Sequence, residues 1–266
     1  MDKKVAVVTG SNKGIGFGIV KALCQRYDGY VYLTSRDETK GKKAIDELKA
    51  LGLNPQYHQL NITDRYSVLK FRDFIVNAHG GIDILINNAA VAAGLEEDIS
   101  YEEAKNIIDI NYLSIFTVRE LLFPLLRRNA RVLNISSDCG HLSNVKNKLW
   151  LDRLSQKDLK LEDVNEFINW YLESRKNGTF NRGDIADNAT CASYRGSKVA
   201  LSAITPILQR ELEGRNISVN SMHPGLVKTN MTGGVGFYTI DDAAKMPVNL
   251  VLDAPDSLKG LNLRHP

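Results

Sequence analysis

The 266-residue sequence predicts an α/β domain, a doubly wound parallel sheet with helices on both faces, and three observations carry that expectation. Short apolar runs alternate along the chain with amphipathic segments of helical period, the pattern of repeated strand and helix units. The first apolar run, Val5 to Val8, is continuous rather than alternating, as a strand covered on both faces requires. It leads directly into Thr9-Gly10-Ser11-Asn12-Lys13-Gly14-Ile15-Gly16, whose glycines let the backbone turn sharply and approach a ligand closely. The following helical run from Phe17 to Cys24 would then aim its first amides at a phosphate.

Composition narrows the function classes. With 43% hydrophobic and 24% charged residues the chain has the make-up of a globular protein able to bury a large core. Its 34 basic and 31 acidic residues are mixed along the sequence, with no basic block or aromatic-interleaved basic stripe, so nucleic-acid binding has no support. No apolar run reaches the ~18 residues of a membrane span, and Met1-Asp2-Lys3-Lys4 leaves no room for a signal peptide, so a cytoplasmic address is expected and no membrane partner. Cys24, Cys139 and Cys191 form no close pair, and His58, His79, His141, His223 and His265 lack metal-ligand spacing. Neither a disulfide framework nor a metal site is expected.

The elements follow in order. Tyr30 to Thr34 reads as a second strand, and a charged helix runs from Glu38 to Leu51, stopping at Gly52. The tip of a second strand normally meets the adenosine ribose, where an acid binds the 2′-hydroxyl of NAD. Here Ser35 stands in that place, with Arg36 beside it and Lys13 in the glycine turn, and two cations without the acid favour the 2′-phosphate of NADP. The competing reading makes both cations solvated surface charges, and Asp37 could still reach back to serve NAD. Gln56 to Leu60 forms a third strand, and Thr63 or Asp64 caps a helix from Val68 to Ala78. His58 lies in plain sheet and is expected to pack rather than react. Ile82 to Ile86 is a fourth strand ending in Asn87-Asn88-Ala89-Ala90.

A single helix is expected from about Tyr101 to Leu126, containing Asn111, a residue that competes with its own backbone for hydrogen bonds and so needs a reason to be there. Arg131 to Ser137 is a fifth strand closing on Ser136 and Ser137, of which alternation lets only one point into a site. Tyr194-Arg195-Gly196-Ser197-Lys198 opens a helix to Leu212, and the i, i+4 spacing puts Tyr194 and Lys198 on one face. A tyrosine of ordinary pKa near ~10 is a poor acid or base at neutral pH, and an ammonium one turn away draws it toward the working range. A serine hydroxyl on a neighbouring strand tip can hold a carbonyl oxygen as negative charge builds on it. Ile217 to Met222 is a sixth strand, followed by His223-Pro224-Gly225-Leu226-Val227-Lys228-Thr229.

Taken together, Thr-Gly-x-x-x-Gly-Ile-Gly, Asn-Asn-Ala-Ala, Asn111, Asn-Ile-Ser-Ser, Tyr-x-x-x-Lys and the Pro-Gly segment resemble, in order, the motifs of the short-chain dehydrogenase/reductase family. The resemblance implies a Rossmann-type sheet and a nicotinamide cofactor held by Gly10, Asn12, Lys13, Gly14, Ile15, Gly16 and Arg36. It extends the cofactor set to Asn61, Ile62, Asn88, Ala89, Tyr194, Lys198, Pro224, Gly225, Val227 and Thr229, with Asn61 and Ile62 at the adenine, Val227 at the carboxamide and Thr229 at the pyrophosphate. The family commonly carries Asp where Asn61 stands and Gly where Ala90 stands, two departures from its pattern. By the same resemblance Ser137 rather than Ser136 is the oxyanion donor, Tyr194 the general acid, Lys198 its partner and ribose anchor, and Asn111 part of a water relay.

Tyr194 follows Ser137 by 57 positions, far more than most members of that family allow, so residues of about 140 to 190 form an insertion in a single domain covering 1 to 266. A helix is expected within it from Ser155 to Lys176, its apolar face carrying Leu161, Val164, Phe167, Ile168, Tyr171 and Leu172 and packing back on the domain. This insertion, the Asn12-Lys13 pair and Gly80-Gly81-Ile82-Asp83 are similar to the monomeric carbonyl reductases of animals, which implies NADPH, a small-molecule carbonyl substrate and a monomer. Cys139, His141, Leu226 and Met231 are expected around the substrate, and the short ending Lys259 to Pro266 leaves the seventh strand missing or makeshift. Two other readings stay open: an NAD-dependent alcohol or steroid dehydrogenase, and a cofactor-binding sensor or scaffold that has lost activity.

Overall fold

The computed structural model describes residues 3–93, 99–186 and 191–264; Met1, Asp2, His265, Pro266 and the last part of the expected insertion, 187–190, lie outside the described residues. The strands are β1 (Lys4–Val8), β2 (Gly29–Ser35), β3 (Gln56–Gln59), β4 (Ile82–Asn87), β5 (Leu126–Ile135), β6 (Ser218–His223) and β7 (Asn262–Arg264). They form one sheet of order β3-β2-β1-β4-β5-β6-β7, and every pairing is parallel. The order reverses at β1, whose neighbours are β2 and β4, and a crevice at that switch point is where such sheets bind ligands.

Alternation along β1 shows why its sequence is apolar throughout. Val5 and Val7 enter one core, with α3 (Arg65–His79), α5 (Ser114–Leu122), α7 (Leu161–Lys176) and α8 (Ala192–Leu212). Ala6 and Val8 enter the other, with α1 (Gly14–Arg26), α2 (Glu38–Ala50) and α9 (Ile240–Leu252). Local capping sets several helix starts. Asp37 accepts from the Lys40 amide at 3.0 Å, Asp64 from that of Tyr66 at 2.9 Å, and Ser100 and Glu103 form a reciprocal capping box. Because Asp64 is the cap, α3 begins at Arg65, three residues before the expected Val68.

Three expected boundaries are corrected. The long helix from Tyr101 is broken: α4 (Tyr101–Ile108) passes into one π-helical turn, Asp109–Leu113, before α5, and β5 begins at Leu126 rather than Arg131. The insertion carries two helices, α6 (Lys148–Leu154) and α7, so the helix expected from Ser155 starts at Leu161. Its residues Val164, Phe167, Ile168 and Tyr171 are buried as expected, against α4 and α8, and Trp150 of α6 joins Phe167 and Trp170 in an aromatic cluster. A seventh strand is present. It is three residues long and pairs with β6 through Ser221, Met222 and His223.

His58 packs its ring on Phe71 and Phe74, with centroids 5.0 and 4.7 Å away, and its Nδ1 lies 2.6 Å from the Gln59 carbonyl. Burial holds its pKa below the ordinary 6.5, so the fold prefers the neutral ring. The unfolded chain binds the proton first as pH falls, so this contribution is intact above about 6.5 and is lost below it. Urea midpoints measured from pH 7.5 to 5.5 are expected to fall with pH, and a His58→Phe variant to show a shallower fall. An unchanged slope in that variant would remove His58 from the account.

Candidate active site

Every residue expected to hold a cofactor or substrate from a strand-end loop lies beyond the carboxyl end of a parallel strand. Gly10 to Gly16 follow β1, Arg36 follows β2, Asn61 and Ile62 follow β3, Asn88 and Ala89 follow β4, Ser137 follows β5, and Pro224 to Thr229 follow β6. The glycine turn is held to β4 by a residue not singled out from the sequence. The Thr9 hydroxyl accepts the amides of Asn88 and Ala89 at 3.0 and 3.1 Å, while the Asn88 side chain donates to the carbonyls of Thr9 and Gly10 at 2.9 and 3.1 Å.

Those contacts leave no room for larger residues. Gly10 has φ +60°, and a Cβ there would lie 2.7 Å from Ala89; one on Gly16 would lie 2.4 Å from Asn88 Nδ2. No side chain caps α1, whose N-cap is the extended Lys13 and whose first turn carries no acid. Its leading amides therefore point into the crevice as a ready acceptor for a phosphate, which fits a dinucleotide pyrophosphate. Thr229 faces this turn, its methyl 3.8 Å from where a Gly14 Cβ would sit.

At the ribose end, Lys13 and Arg36 are exposed, and among the described residues neither pairs with a carboxylate. Ser35 is buried and donates to the Asp37 carbonyl at 2.7 Å. The Asp37 carboxylate caps α2 and lies 3.4 Å from the Lys40 ammonium. Asn61 Oδ1 already accepts the amide and hydroxyl of Thr63, at 3.3 and 2.9 Å, while Ile62 is buried. Beyond β6, Gly225 at φ +83° lies against the Tyr238 ring, and Lys228 N–H donates to the Tyr238 carbonyl at 3.0 Å, which stitches the buried Val227 in place.

The catalytic candidates converge where β5 meets α8. The Ser137 side chain hydrogen-bonds the Tyr194 hydroxyl and also accepts the Cys139 amide at 3.2 Å. Ser136 turns the other way and pairs with Ser202 at 2.8 Å inside the α8 contact. Lys198 is 2% exposed, donates to the Ile135 carbonyl at 2.8 Å, and has its ammonium 5.6 Å from the Tyr194 ring centre. Burial lowers the Lys198 pKa to about 8 and raises that of the Tyr194 phenol well above its ordinary range, an effect the Ser137 hydrogen bond opposes. The phenol is therefore not drawn down by Lys198 as the i, i+4 spacing led us to expect, because burial outweighs the neighbouring ammonium.

Asn111 sits in the π-helical turn, with its amide engaged on both sides. It accepts from Val91 N–H at 2.9 Å and donates to the Val91 carbonyl at 2.9 Å and to Ser197 Oγ at 3.1 Å. Ser197, a second residue sequence reasoning passed over, in turn donates to the Tyr194 carbonyl at 2.7 Å. Its position inside Tyr-x-x-x-Lys was the available signal. Of the residues expected around the substrate, Cys139 is half-buried, whereas His141, Leu226 and Met231 are exposed. No group of acidic, cysteine or histidine side chains among the described residues could hold a metal ion.

Comparison with known proteins agrees with this geometry. The family model for short chain dehydrogenase matches residues 4–149 and 184–236, leaving most of the insertion unmatched. The chain is 36% identical over 265 residues to carbonyl reductase [NADPH] 3 of Mus musculus, covering 96% of this chain and 92% of that protein. Against carbonyl reductase [NADPH] 1 of Homo sapiens it is 33% identical over 260 residues, at 95% and 92% coverage. Among solved structures, salutaridine reductase from Papaver somniferum superimposes with a TM-score of 0.89 at 33% identity, covering 98% of this chain and 99% of that one. Menthone neomenthol reductase from Mentha piperita gives 0.82 at 28% identity, with 98% of each chain covered. A family model matching most of the chain, whole-length relatives above 30% identity and the shared fold make this protein a member of the short-chain dehydrogenase/reductase family, an oxidoreductase of the carbonyl reductase kind acting on carbonyl or alcohol groups.

Proposed function

We propose that this protein reduces the carbonyl group of small aldehydes, ketones or quinones with NADPH, using Tyr194 as general acid. The observation that carries the reading is the cluster of half-buried Ser137 and Tyr194 with buried Lys198, beside a crevice whose two ribose-side cations have no carboxylate partner among the described residues. When bound, the cofactor supplies the hydride. Ser137 holds the carbonyl oxygen as charge develops, and Tyr194, kept protonated by its burial, donates its proton to that oxygen. Lys198 keeps a positive charge below its pKa of about 8 and offsets the phenolate left behind. Asn111 holds the helix turn through which a water relay would reprotonate the site, and Ser197 couples it to Tyr194.

Lys13 and Arg36 support NADPH over NADH, and Asp37, the acid an NAD site would use, is engaged as the α2 cap. No disulfide joins Cys24, Cys139 or Cys191 among the described residues, in keeping with a reducing cytoplasmic address. Cover of α4 and α8 by α7 supports a monomer, because those helix faces are then unavailable for association.

Turnover of a panel of quinones, aldehydes and ketones, followed by loss of reduced-nicotinamide absorbance, should favour NADPH. Tyr194→Phe should lower kcat about a hundredfold to ten-thousandfold while cofactor binding persists, and Arg36→Glu should erode the NADPH preference. Tight NADPH binding with no turnover of any carbonyl would instead favour a sensor or scaffold. The pH profile of kcat/KM for NADPH should be level at neutral pH and decline as pH rises through about 8, where Lys198 loses its charge; a profile flat to pH 10 would exclude that role. Light scattering at micromolar concentration should return the mass of one chain, 29.6 kDa, and a stable dimer would refute the monomer.

A further inference from the structure

The chain leaving β2, from which Arg36 projects, is fixed at three successive carbonyls. That of Ser35 accepts the Leu60 amide at 2.9 Å. That of Asp37 accepts both the Ser35 hydroxyl at 2.7 Å and the Gly41 amide at 3.0 Å. Between them, the Arg36 carbonyl accepts the Gln59 side-chain amide at 3.0 Å, its one partner among the described residues. Gln59 is the last residue of β3 and stands opposite Ser35 in the parallel register, so its side chain reaches the residue just after its own strand partner.

The Gln59 amide is itself oriented. A backbone carbonyl only accepts, so the amide nitrogen must face Arg36 and the amide oxygen must find a donor elsewhere. The Ser67 hydroxyl of α3 supplies it, donating to Gln59 Oε1 at 3.3 Å while accepting the Asn61 N–H at 2.9 Å. Ser67 is buried, which holds this donor in place. One hydrogen-bonded relay thus runs from Asn61, expected at the adenine, through Ser67 and Gln59 to the backbone of Arg36. The Arg36 side chain is exposed and pairs with no carboxylate among the described residues. A long flexible cation loses less freedom on meeting an anion when its backbone is already fixed, and the relay fixes it.

We propose that Gln59 is a positioning residue for coenzyme choice: it holds the Arg36 backbone so that the guanidinium meets a 2′-phosphate, in an orientation set by Ser67. The inference rests on the NADPH reading and adds to it two uncharged residues outside the expected cofactor set. Calorimetric titration of the full chain with NADPH and with NADH tests it, beside steady-state kinetics. Gln59→Leu, which keeps the bulk and removes the amide, is expected to weaken NADPH about fivefold, the worth of one hydrogen bond, and to leave NADH unchanged. KM for NADPH should rise by the same factor while kcat at saturation holds. Ser67→Ala, on another element, should move the NADPH to NADH ratio in the same direction by a smaller factor. In an Arg36→Ala background the effect of Gln59→Leu should vanish, because both residues act through one contact. Unchanged NADH binding in Gln59→Leu would show that the fold survives. An equal loss for both coenzymes, an unaltered ratio in Gln59→Leu, or an undiminished effect in the Arg36→Ala background overturns the proposal while leaving the NADPH reading intact. A wild-type chain that binds the two coenzymes equally overturns that reading and the proposal with it.

Discussion

The clamp between the ends of β1 and β4 is the constraint on which the site depends. Four hydrogen bonds cross the point where the strand order reverses: the Thr9 hydroxyl accepts the amides of Asn88 and Ala89, and the Asn88 side chain donates to the carbonyls of Thr9 and Gly10. These fix the glycine turn against β4 so closely that a Cβ on Gly10 or Gly16 would collide with Ala89 or Asn88. A crevice that must admit a nucleotide and expose helix amides to phosphate tolerates little drift, and a hydrogen-bonded strut without bulk provides that stiffness.

The same logic continues through the buried centre of the sheet. Asn87 donates to Asn134 at 2.8 Å, and Asn134 donates to Thr205 of α8 at 3.1 Å, so three polar residues hold β4, β5 and α8 in register. Lys198 is tied to β5 through Ile135, and Tyr194 to the π-helical turn through Ser197 and Asn111. Directional bonds along this buried chain favour one arrangement even though Asn87 Oδ1 has no partner among the described residues, whereas an apolar contact would tolerate sliding. The catalytic candidates are thus positioned from both sides, and burial shifts them in opposite senses, lowering the pKa of Lys198 and raising that of Tyr194.

The insertion adds a second layer to one face. Its aromatic residues Trp150, Phe167, Trp170 and Phe180 pack with each other, and the buried side of α7 sits on α4 and α8. The family model passes over residues 150–183, so this cover is a feature of the chain and its closer relatives rather than of the general fold.

Sequence by itself determined the strands, because Val5 to Val8 and Ile82 to Ile86 must be buried on both faces, and it determined the motif residues at their ends, because each sits beside a turn that only glycine, asparagine or a small residue can make. Helical spacing put Tyr194 and Lys198 on one face, and only their company with the other motifs in order marked them as candidates. Tertiary structure decided what spacing does not encode. The break at Asp109 appears only because Asn111 finds Val91 and Ser197 as partners, and α7 starts at Leu161 because α6 and its turn occupy the preceding residues. The Thr9 clamp joins residues about eighty apart in the chain, which meet only on folding. Local preference fixes which element a residue joins; its partners across the fold fix what it can do there.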